Sequence, residues 1–249
     1  MKQYAIGDVH GEYDTLAKLV GRLPKGAKLF FVGDLIDRGP KSAKVVEFVR
    51  KGNHGCVLGN HEDMMIEQGK IMKKERADYE IDGLWAVNGG LDTLLSYGII
   101  ELIDDYSYRY TRDEKSIDKF IEDAEWMEKL PLMIGIKSRD GKDIVVSHSS
   151  MIKKWRAYYH RGIKSAGEDY EALKNYVVWN RDLCGITTSF GATEYRIVNV
   201  YGHTPHEEID THHECINIDT GCTYDRAGLG YLTALDLQDL KLIRQKRAA

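Results

Sequence analysis

Short apolar runs alternate with amphipathic helix patterns along the first sixty residues. The apolar runs at residues 4–6, 29–32 and 56–58 are typical of buried strands. Between them, two helix patterns place apolar residues at helical spacing: Leu16, Leu19, Val20 and Leu23 in the first, and Val45, Val46, Phe48 and Val49 in the second. Strands and helices that alternate at this spacing predict a parallel sheet covered by helices.

The middle of the chain is richer in helix patterns, and the remainder is richer in strand patterns. One helical stripe contains Ile117, Phe120, Ile121, Ala124, Met127 and Leu130. Strand patterns return at residues 133–136, 144–146, 197–201, 215–218 and 229–237. The sequence therefore predicts a single α/β domain over residues 1–249, with a helical insertion at about residues 62–130.

Composition and charge exclude several classes of protein. The 249 residues are 43% hydrophobic and 30% charged, which is typical of a globular chain and not of a disordered one. A net charge of −4 argues against a nucleic-acid coat or an anionic membrane surface as partner. No apolar run approaches the roughly 18 residues that span a bilayer. Acidic and histidine residues occur within the first ten positions, so we expect no signal peptide. The four cysteines form no closely spaced pair, so we expect a cytoplasmic protein.

Side chains that commonly bind metals follow five predicted strands, at the point where each strand ends. In chain order they are Asp8 and His10, then Asp34 and Asp37, then Asn60 and His61, then His148, and last His203. The carboxyl ends of parallel strands lie at one edge of a sheet, where open α/β sheets bind their ligands. We therefore expect these side chains to converge on one crevice.

The chemistry of these residues predicts a metal centre in that crevice. Carboxylates that are brought together and partly desolvated either take up protons or bind a cation. Imidazole, carboxylate and amide ligands without thiolate suit Mn, Fe or Zn better than a soft metal or Ca²⁺. The residues outnumber the ligands of one ion with an open position, so we expect two divalent ions about 3.5–4 Å apart, bridged by Asp34.

Each of these features also has a simpler structural explanation. An Asp-x-His after a strand is usually a turn device, Asn60 could cap the helix that begins near residue 62, and His148 alone could be a buried, hydrogen-bonded histidine. It is improbable that such explanations hold independently at five strand ends. The remaining histidines lack this context and are expected at the surface or outside the ligand shell: His54, His160, His206, His212 and His213.

Three ordered motifs resemble the signature blocks of the PPP-type metallophosphoesterases. They are GDVHG at residues 7–11, GDLIDRG at 33–39 and GNHE at 59–62. Later segments are similar to the bacterial and phage serine/threonine protein phosphatase branch, which includes the lambda-phage protein phosphatase: WAVNGG at 85–90, LPL at 130–132, WNRD at 179–182, GHTP at 202–205 and IDTG at 218–221. The resemblance implies a calcineurin-like β-sandwich, in which helices flank two mixed sheets.

The resemblance also implies a role for each site residue. One ion would be held by Asp8, His10 and Asp34, and the other by Asp34, Asn60, His148 and His203. Arg38, Arg181 and Asn60 would bind the phosphate, and His61, oriented by Asp37, would be the general acid. The ions are expected to be Mn²⁺, with Fe and Zn as alternatives, and a water that bridges them would attack phosphorus in line.

Three functions fit these residues to different degrees. The leading hypothesis is a phosphomonoesterase that acts on phosphoserine, phosphothreonine and small phosphoesters. The alternative is a dinucleoside polyphosphate hydrolase. Symmetrically cleaving relatives tend to lose the aspartate that corresponds to Asp37, and its presence here favours the phosphatase; asymmetrically cleaving relatives retain it, so both hypotheses stay open. A non-catalytic scaffold is disfavoured, because the site residues are all present. No regulatory subunit is expected, since the chain ends soon after residue 237.

Overall fold

The computed structural model describes residues 1–76, 79–104, 107–138, 141, 143–151, 170–181, 197–209 and 215–248. The helices in these ranges are α1 (Tyr13–Gly21), α2 (Ser42–Lys51), α3 (Asn60–Glu75), α4 (Gly83–Trp85), a π-helical turn (Ala86–Gly90), α5 (Leu91–Tyr97), α6 (Glu114–Met127) and α7 (Tyr170–Trp179). The strands are β1 (Gln3–Ile6), β2 (Lys28–Phe31), β3 (Gly55–Cys56), β4 (Ile100–Asp104), β5 (Ser107–Tyr110), β6 (Met133–Lys137), β7 (Asp143–Ser147), β8 (Ile197–Tyr201), β9 (Cys215–Asn217), β10 (Tyr231–Asp236) and β11 (Leu242–Lys246).

Two mixed sheets form the centre of the fold. The first has the strand order β11-β10-β1-β2-β3, in which β1, β2 and β3 are parallel and β10 and β11 are added antiparallel. The second has the order β6-β7-β8-β9, in which β7, β8 and β9 are parallel and β6 is antiparallel to β7. This arrangement confirms the predicted α/β fold of two mixed sheets flanked by helices.

The strands are continuous apolar runs in the sequence because their side chains point alternately to two covered faces of the sheet. In β1, Ala5 joins a cluster between the sheets that includes Phe30 of β2 and Val200 of β8. Its neighbours Tyr4 and Ile6 belong to the cluster under the helices. Successive strand residues point to opposite faces, so a strand covered on both sides needs apolar residues at every position.

The segment predicted as a helical insertion is mostly helical and also contains a β-hairpin. Strands β4 and β5 pair antiparallel as a separate two-stranded sheet. Most of their residues are exposed, which leaves no buried-strand pattern to read in the sequence. Helices α3 and α6 pack closely together. Five of the six residues of the predicted stripe lie on α6 and are buried, whereas Leu130 follows the helix and is partly exposed. No helix in the described part of the chain is long and apolar enough to cross a membrane.

The crossing of α3 and α6 generates a stability prediction. A Cβ added at Gly69 would stand 2.6 Å from the Cβ of Ala124. Alanine normally stabilises a helix relative to glycine by about 1 kcal/mol, but this neighbour is rigid. We expect Gly69→Ala to lower the free energy of unfolding in urea by about 1–3 kcal/mol through overpacking. Gly21→Ala is the control, because nothing lies within 4 Å of a Cβ there; equal losses in both variants would contradict the interpretation.

Candidate metal centre

The six predicted ligand residues lie together in one buried cluster, where β1, β2, β3, β7 and β8 end. None of them is more than 7% exposed. Asp34 lies at the middle of the cluster. Its Oδ2 is 3.6 Å from His10 Nε2, and its Oδ1 is 3.4 Å from His148 Nε2. One carboxylate therefore faces imidazoles on both sides, which is the geometry of a bridging ligand.

The second side of the cluster brings three further ligand atoms together. His148 Nε2 is 2.9 Å from Asn60 Oδ1 and 3.1 Å from His203 Nδ1, and these last two atoms are 3.0 Å apart. The metal-binding atoms of Asp34, His148 and His203 lie within 4.8 Å of one another, and a second such group consists of His10, Asp34 and His61. Asp34 is shared by both groups, so the described residues could hold two ions.

Asp8 lies beside these groups without belonging to either. Its Oδ2 accepts a hydrogen bond from the backbone N–H of His203 at 3.0 Å. Its Oδ1 is buried and has no hydrogen-bond partner among the described residues. A buried carboxylate oxygen without a donor is costly, and a cation bound there would satisfy it. The residues present therefore fit a divalent metal centre.

Backbone carbonyls orient two of the histidines. His10 Nδ1 is 2.8 Å from the carbonyl oxygen of Ile36, and His148 Nδ1 is 2.8 Å from that of Val32. A carbonyl can only accept, so Nδ1 carries the proton in both rings. The lone pair of Nε2 then faces the cluster, as is usual for histidines that bind metals.

Burial sets the protonation of the cluster. Burial lowers the pKa of His10 and of His148, and burial together with His148 lowers the pKa of His203 to about 3. Burial thus favours the neutral ring, the form that binds a metal, while the charge of Asp34 acts in the opposite direction on each of them. Burial, with Asp219 and Asp34 next in size, raises the pKa of Asp8 well above its usual range. Burial also opposes ionisation of Asp34, but the surrounding histidines, His148 foremost, outweigh it and hold the pKa of Asp34 below its ordinary value.

Several site residues adopt backbone conformations that residues other than glycine rarely adopt. Positive φ angles occur at His10 (48°), Asp34 (50°), Asp37 (71°), Arg38 (68°) and His203 (72°). Such strain persists only where surrounding contacts enforce it, and it is concentrated at functional sites. Gly33 shows how closely the chain is packed there, because a Cβ on it would lie 2.8 Å from His148 Nδ1.

His61 and Asp37 form a buried hydrogen-bonded pair. His61 Nδ1 is 2.6 Å from Asp37 Oδ2, so Nε2 points towards the cluster, 3.8 Å from Asp34 Oδ2. Burial alone would lower the pKa of His61. The charges of Asp34 and of the hydrogen-bonded Asp37 outweigh burial and raise this pKa above its ordinary value. His61 is thus suited to donate a proton from Nε2.

The two predicted phosphate-binding arginines lie in different settings. Arg38 donates from Nη1 to His10 Nε2 (2.8 Å) and from Nη2 to His61 Nε2 (3.0 Å). Each Nε2 has a single lone pair, so this guanidinium must move when His10 Nε2 binds a metal or when His61 Nε2 carries a proton. Arg181 is exposed just after α7. Its charge contributes, after burial and His148, to the low pKa of His203, which places it near the cluster.

Two buried carboxylates in the site were not predicted. Glu62 accepts hydrogen bonds from the backbone N–H groups of Asp34 (2.8 Å), Leu35 (2.7 Å) and Gly59 (3.0 Å). Burial and the charge of Asp34 raise the pKa of Glu62 to about 8. Asp219 follows β9, and burial raises its pKa to about 7. Asp219 could have been identified because it follows a predicted strand, as the other site residues do. Glu62 could have been identified as a capping residue from its position in the first turn of α3.

The histidines excluded from the site are only partly described. His54 packs against the rings of Phe31 and Phe48, with centroid distances of 6.2 and 5.2 Å. His206 is partly exposed, and its backbone N–H donates to the carbonyl of Asp219 at 3.0 Å. The other three excluded histidines lie outside the described residues: His160, His212 and His213. So does Asp182, the last residue of the WNRD motif.

Comparison with known proteins identifies the family. The model of the calcineurin-like phosphoesterases matches residues 1–207. The asymmetrical bis(5'-nucleosyl)-tetraphosphatase PrpE of Halalkalibacterium halodurans is 28% identical over 262 residues, which cover 96% of this chain and 91% of that protein. The symmetrical bis(5'-nucleosyl)-tetraphosphatase of Actinobacillus succinogenes is 37% identical over 91 residues, only 34% of this chain and 33% of that protein.

A solved structure has a similar fold. The crystal structure of a provisionally assigned diadenosine tetraphosphatase is similar with a TM-score of 0.60 at 19% identity, covering 99% of this chain and 94% of that one. The match of the family model to residues 1–207 confirms, at the level of the family, the resemblance predicted from the motifs. The relatives named here are tetraphosphatases, and none is the lambda-phage phosphatase.

The three hydrogen bonds of Glu62 generate a prediction about the cluster. In Glu62→Gln an amide group replaces one carboxylate oxygen, so at least one backbone N–H then faces another donor. We expect the affinity for Mn²⁺ to fall about 10- to 100-fold, because residues that support metal ligands typically have this effect. The free energy of unfolding should fall by about 1–3 kcal/mol. Calorimetric metal titration and urea denaturation measure the two effects.

Glu67→Gln is the matched control. Glu67 lies on the same helix, is exposed and pairs only with Lys70 in the described structure. The same substitution there should leave both quantities unchanged. If Glu62→Gln binds Mn²⁺ as tightly as the control, Glu62 does not position the ligands.

Proposed function

This chain belongs to the calcineurin-like phosphoesterase family, and on that premise we propose that it hydrolyses dinucleoside polyphosphates asymmetrically with the help of two divalent ions. The observation that carries the proposal is the pair of ligand groups that share Asp34, beside the His61–Asp37 pair and Arg38. The choice of substrate is supported by the asymmetrical tetraphosphatase that aligns over 91% of its own length.

We assign the ligands as follows. Asp8, His10 and Asp34 would hold one ion, and Asp34, Asn60, His148 and His203 the other. Mn²⁺ is the proposed metal, with Fe and Zn as alternatives, since the ligand set mixes imidazole, carboxylate and amide oxygen. When bound, the ions would acidify a water molecule and neutralise charge on the phosphate oxygens.

The remaining steps belong to the side chains of the protein. Arg38 carries two guanidinium donors that already lie within hydrogen-bond distance of the imidazoles, so it can bind phosphate oxygens in the same place. Arg181 would add a second positive charge, and Asn60 would contact both metal and substrate. His61 would donate the proton of Nε2 to the departing oxygen, while Asp37 keeps the ring oriented and charged.

The His61–Asp37 pair also supports a second candidate, a phosphoprotein phosphatase. An alkoxide from serine or threonine is a poor leaving group and needs a proton donor. The departing oxygen of a polyphosphate is far less basic, so its departure depends less on a proton donor. A fully buried acid pair is therefore favourable for phosphoester cleavage, and the two substrates must be compared directly.

The products of diadenosine tetraphosphate test the proposal. With Mn²⁺ present, asymmetric cleavage should yield one nucleoside triphosphate and one monophosphate, which chromatography separates. We expect kcat/KM to exceed that for a phosphothreonine peptide. Two equivalents of the diphosphate would show symmetric cleavage. A faster reaction of the peptide would favour the second candidate.

Substitution of the proposed acid should depend on the leaving group. We expect His61→Asn to reduce hydrolysis of a phosphothreonine peptide about 10²- to 10⁴-fold, the usual contribution of general acid catalysis. Hydrolysis of diadenosine tetraphosphate should fall less. The raised pKa of His61 means that its acid form persists to higher pH than that of an ordinary histidine and is lost as pH rises through that pKa. The wild type should therefore lose peptide activity at alkaline pH, and the variant should lack this decline.

His54→Asn is the control for this experiment, because His54 packs among aromatic rings outside the cluster. Its rates and pH profile should match the wild type. Equal losses with both substrates in His61→Asn would reject the acid role.

A further inference from the structure

A turn from the middle of the chain contacts the proposed acid pair. Trp85 ends α4 and is fully buried. Its indole Nε1 donates to Asp37 Oδ2 at 2.9 Å. The same oxygen accepts the hydrogen bond from His61 Nδ1 at 2.6 Å. Trp85 and His61 therefore share one acceptor atom, although Trp85 is 48 residues from Asp37 in the sequence.

The other polar atoms of Asp37 are held from the same region. Thr93 in α5 donates from Oγ1 to Asp37 Oδ1 at 2.6 Å. The backbone N–H of Asp37 is 2.9 Å from Thr93 Oγ1 and 3.1 Å from Ser42 Oγ. Both carboxylate oxygens and the amide thus have partners, which fixes the rotation of the carboxylate.

The π-helical turn between Trp85 and Thr93 also lies against Arg38. The carbonyl of Gly89 accepts the backbone N–H of Arg38 at 3.3 Å. Gly89 itself has a φ of 102°, and a Cβ there would stand 2.6 Å from the nitrogen of Arg38. Asp37 and Arg38 both have positive φ angles, so these contacts help to maintain a strained backbone. One segment thereby supports two neighbouring site residues.

We infer that Trp85 is a positioning residue for proton donation by His61. Its N–H holds Asp37 Oδ2 in the place where His61 Nδ1 donates, so Nε2 faces the departing oxygen. This inference rests on the proposed hydrolysis: water adds to phosphorus and releases one proton to solvent, the bond to the leaving oxygen breaks, and that oxygen takes the proton of Nε2. A small misplacement of a proton donor can cost a large factor in rate.

Trp85→Phe removes the N–H and keeps an aromatic ring against Phe120, whose centroid is 5.9 Å away. With Mn²⁺ present, we expect kcat for phenyl phosphate, a poor leaving group, to fall about 10- to 100-fold. The rate for p-nitrophenyl phosphate, a good leaving group, should change little, and KM should stay constant for both. A merely structural defect would reduce both rates by the same factor.

Two further variants make the result specific. Trp126→Phe is the matched control, because Trp126 lies on α6 and packs beside Arg50; both rates should be unchanged. Thr93→Val removes the second donor to Asp37 without changing the shape of the side chain, and should reproduce the leaving-group pattern if Trp85→Phe folds poorly. In a His61→Asn background, Trp85→Phe should add no selective loss.

A measurement without turnover separates this inference from the proposed function. The Nδ1 proton of His61 should give a downfield NMR signal in the wild type and in Trp126→Phe, recorded without paramagnetic Mn²⁺. In Trp85→Phe this signal should exchange faster with water. If the wild type hydrolyses no phosphoester, the proposed function fails and the NMR result still decides the positioning role. An unchanged signal, or equal losses for both aryl phosphates, would overturn the inference.

Discussion

The site depends on a carboxylate that is buried and yet charged. Asp34 lies among the imidazoles of His10, His61, His148 and His203, which outweigh the cost of its burial. No single imidazole would suffice to keep Asp34 ionised, because a charge removed from water loses a large solvation energy. Backbone groups complete the arrangement, since Glu62 ties the amide of Asp34 to the start of α3. The shared position of Asp34 is what allows two ligand groups to form from five strand ends.

The middle segment of the chain is part of this arrangement. Trp85 and Thr93 bind the carboxylate of Asp37, and the carbonyl of Gly89 binds the backbone of Arg38. The π-helical turn after Trp85 is supported by the packing of Phe120 against Trp85 and of α6 against α3. Packing of this segment therefore reaches the proposed proton donor through direct hydrogen bonds, and not through a long chain of intermediates.

In the proposed function, the cluster and Arg38 would serve a reaction step that phosphoesters and phosphoanhydrides share. In both, charge develops on the equatorial oxygens of phosphorus, and cationic groups stabilise it. The substrates differ at the leaving oxygen, where the basicity of an alkoxide far exceeds that of a polyphosphate. In the proposed mechanism His61 acts at that oxygen, so the His61–Asp37 pair would be where the two chemistries are discriminated.

Local pattern was sufficient for the fold class and for the convergence of the predicted ligand residues on one crevice. Apolar runs reveal strands, and parallel strands bring their carboxyl ends together, so Asp34 and His148 could be placed in one crevice from sequence alone. Tertiary structure decided the rest: the exposed hairpin of β4 and β5, the amide contacts of Glu62, and the hydrogen bond of Trp85 to Asp37. These features depend on how distant segments pack, and neither periodicity nor turn chemistry encodes which buried donor meets which acceptor across 48 residues.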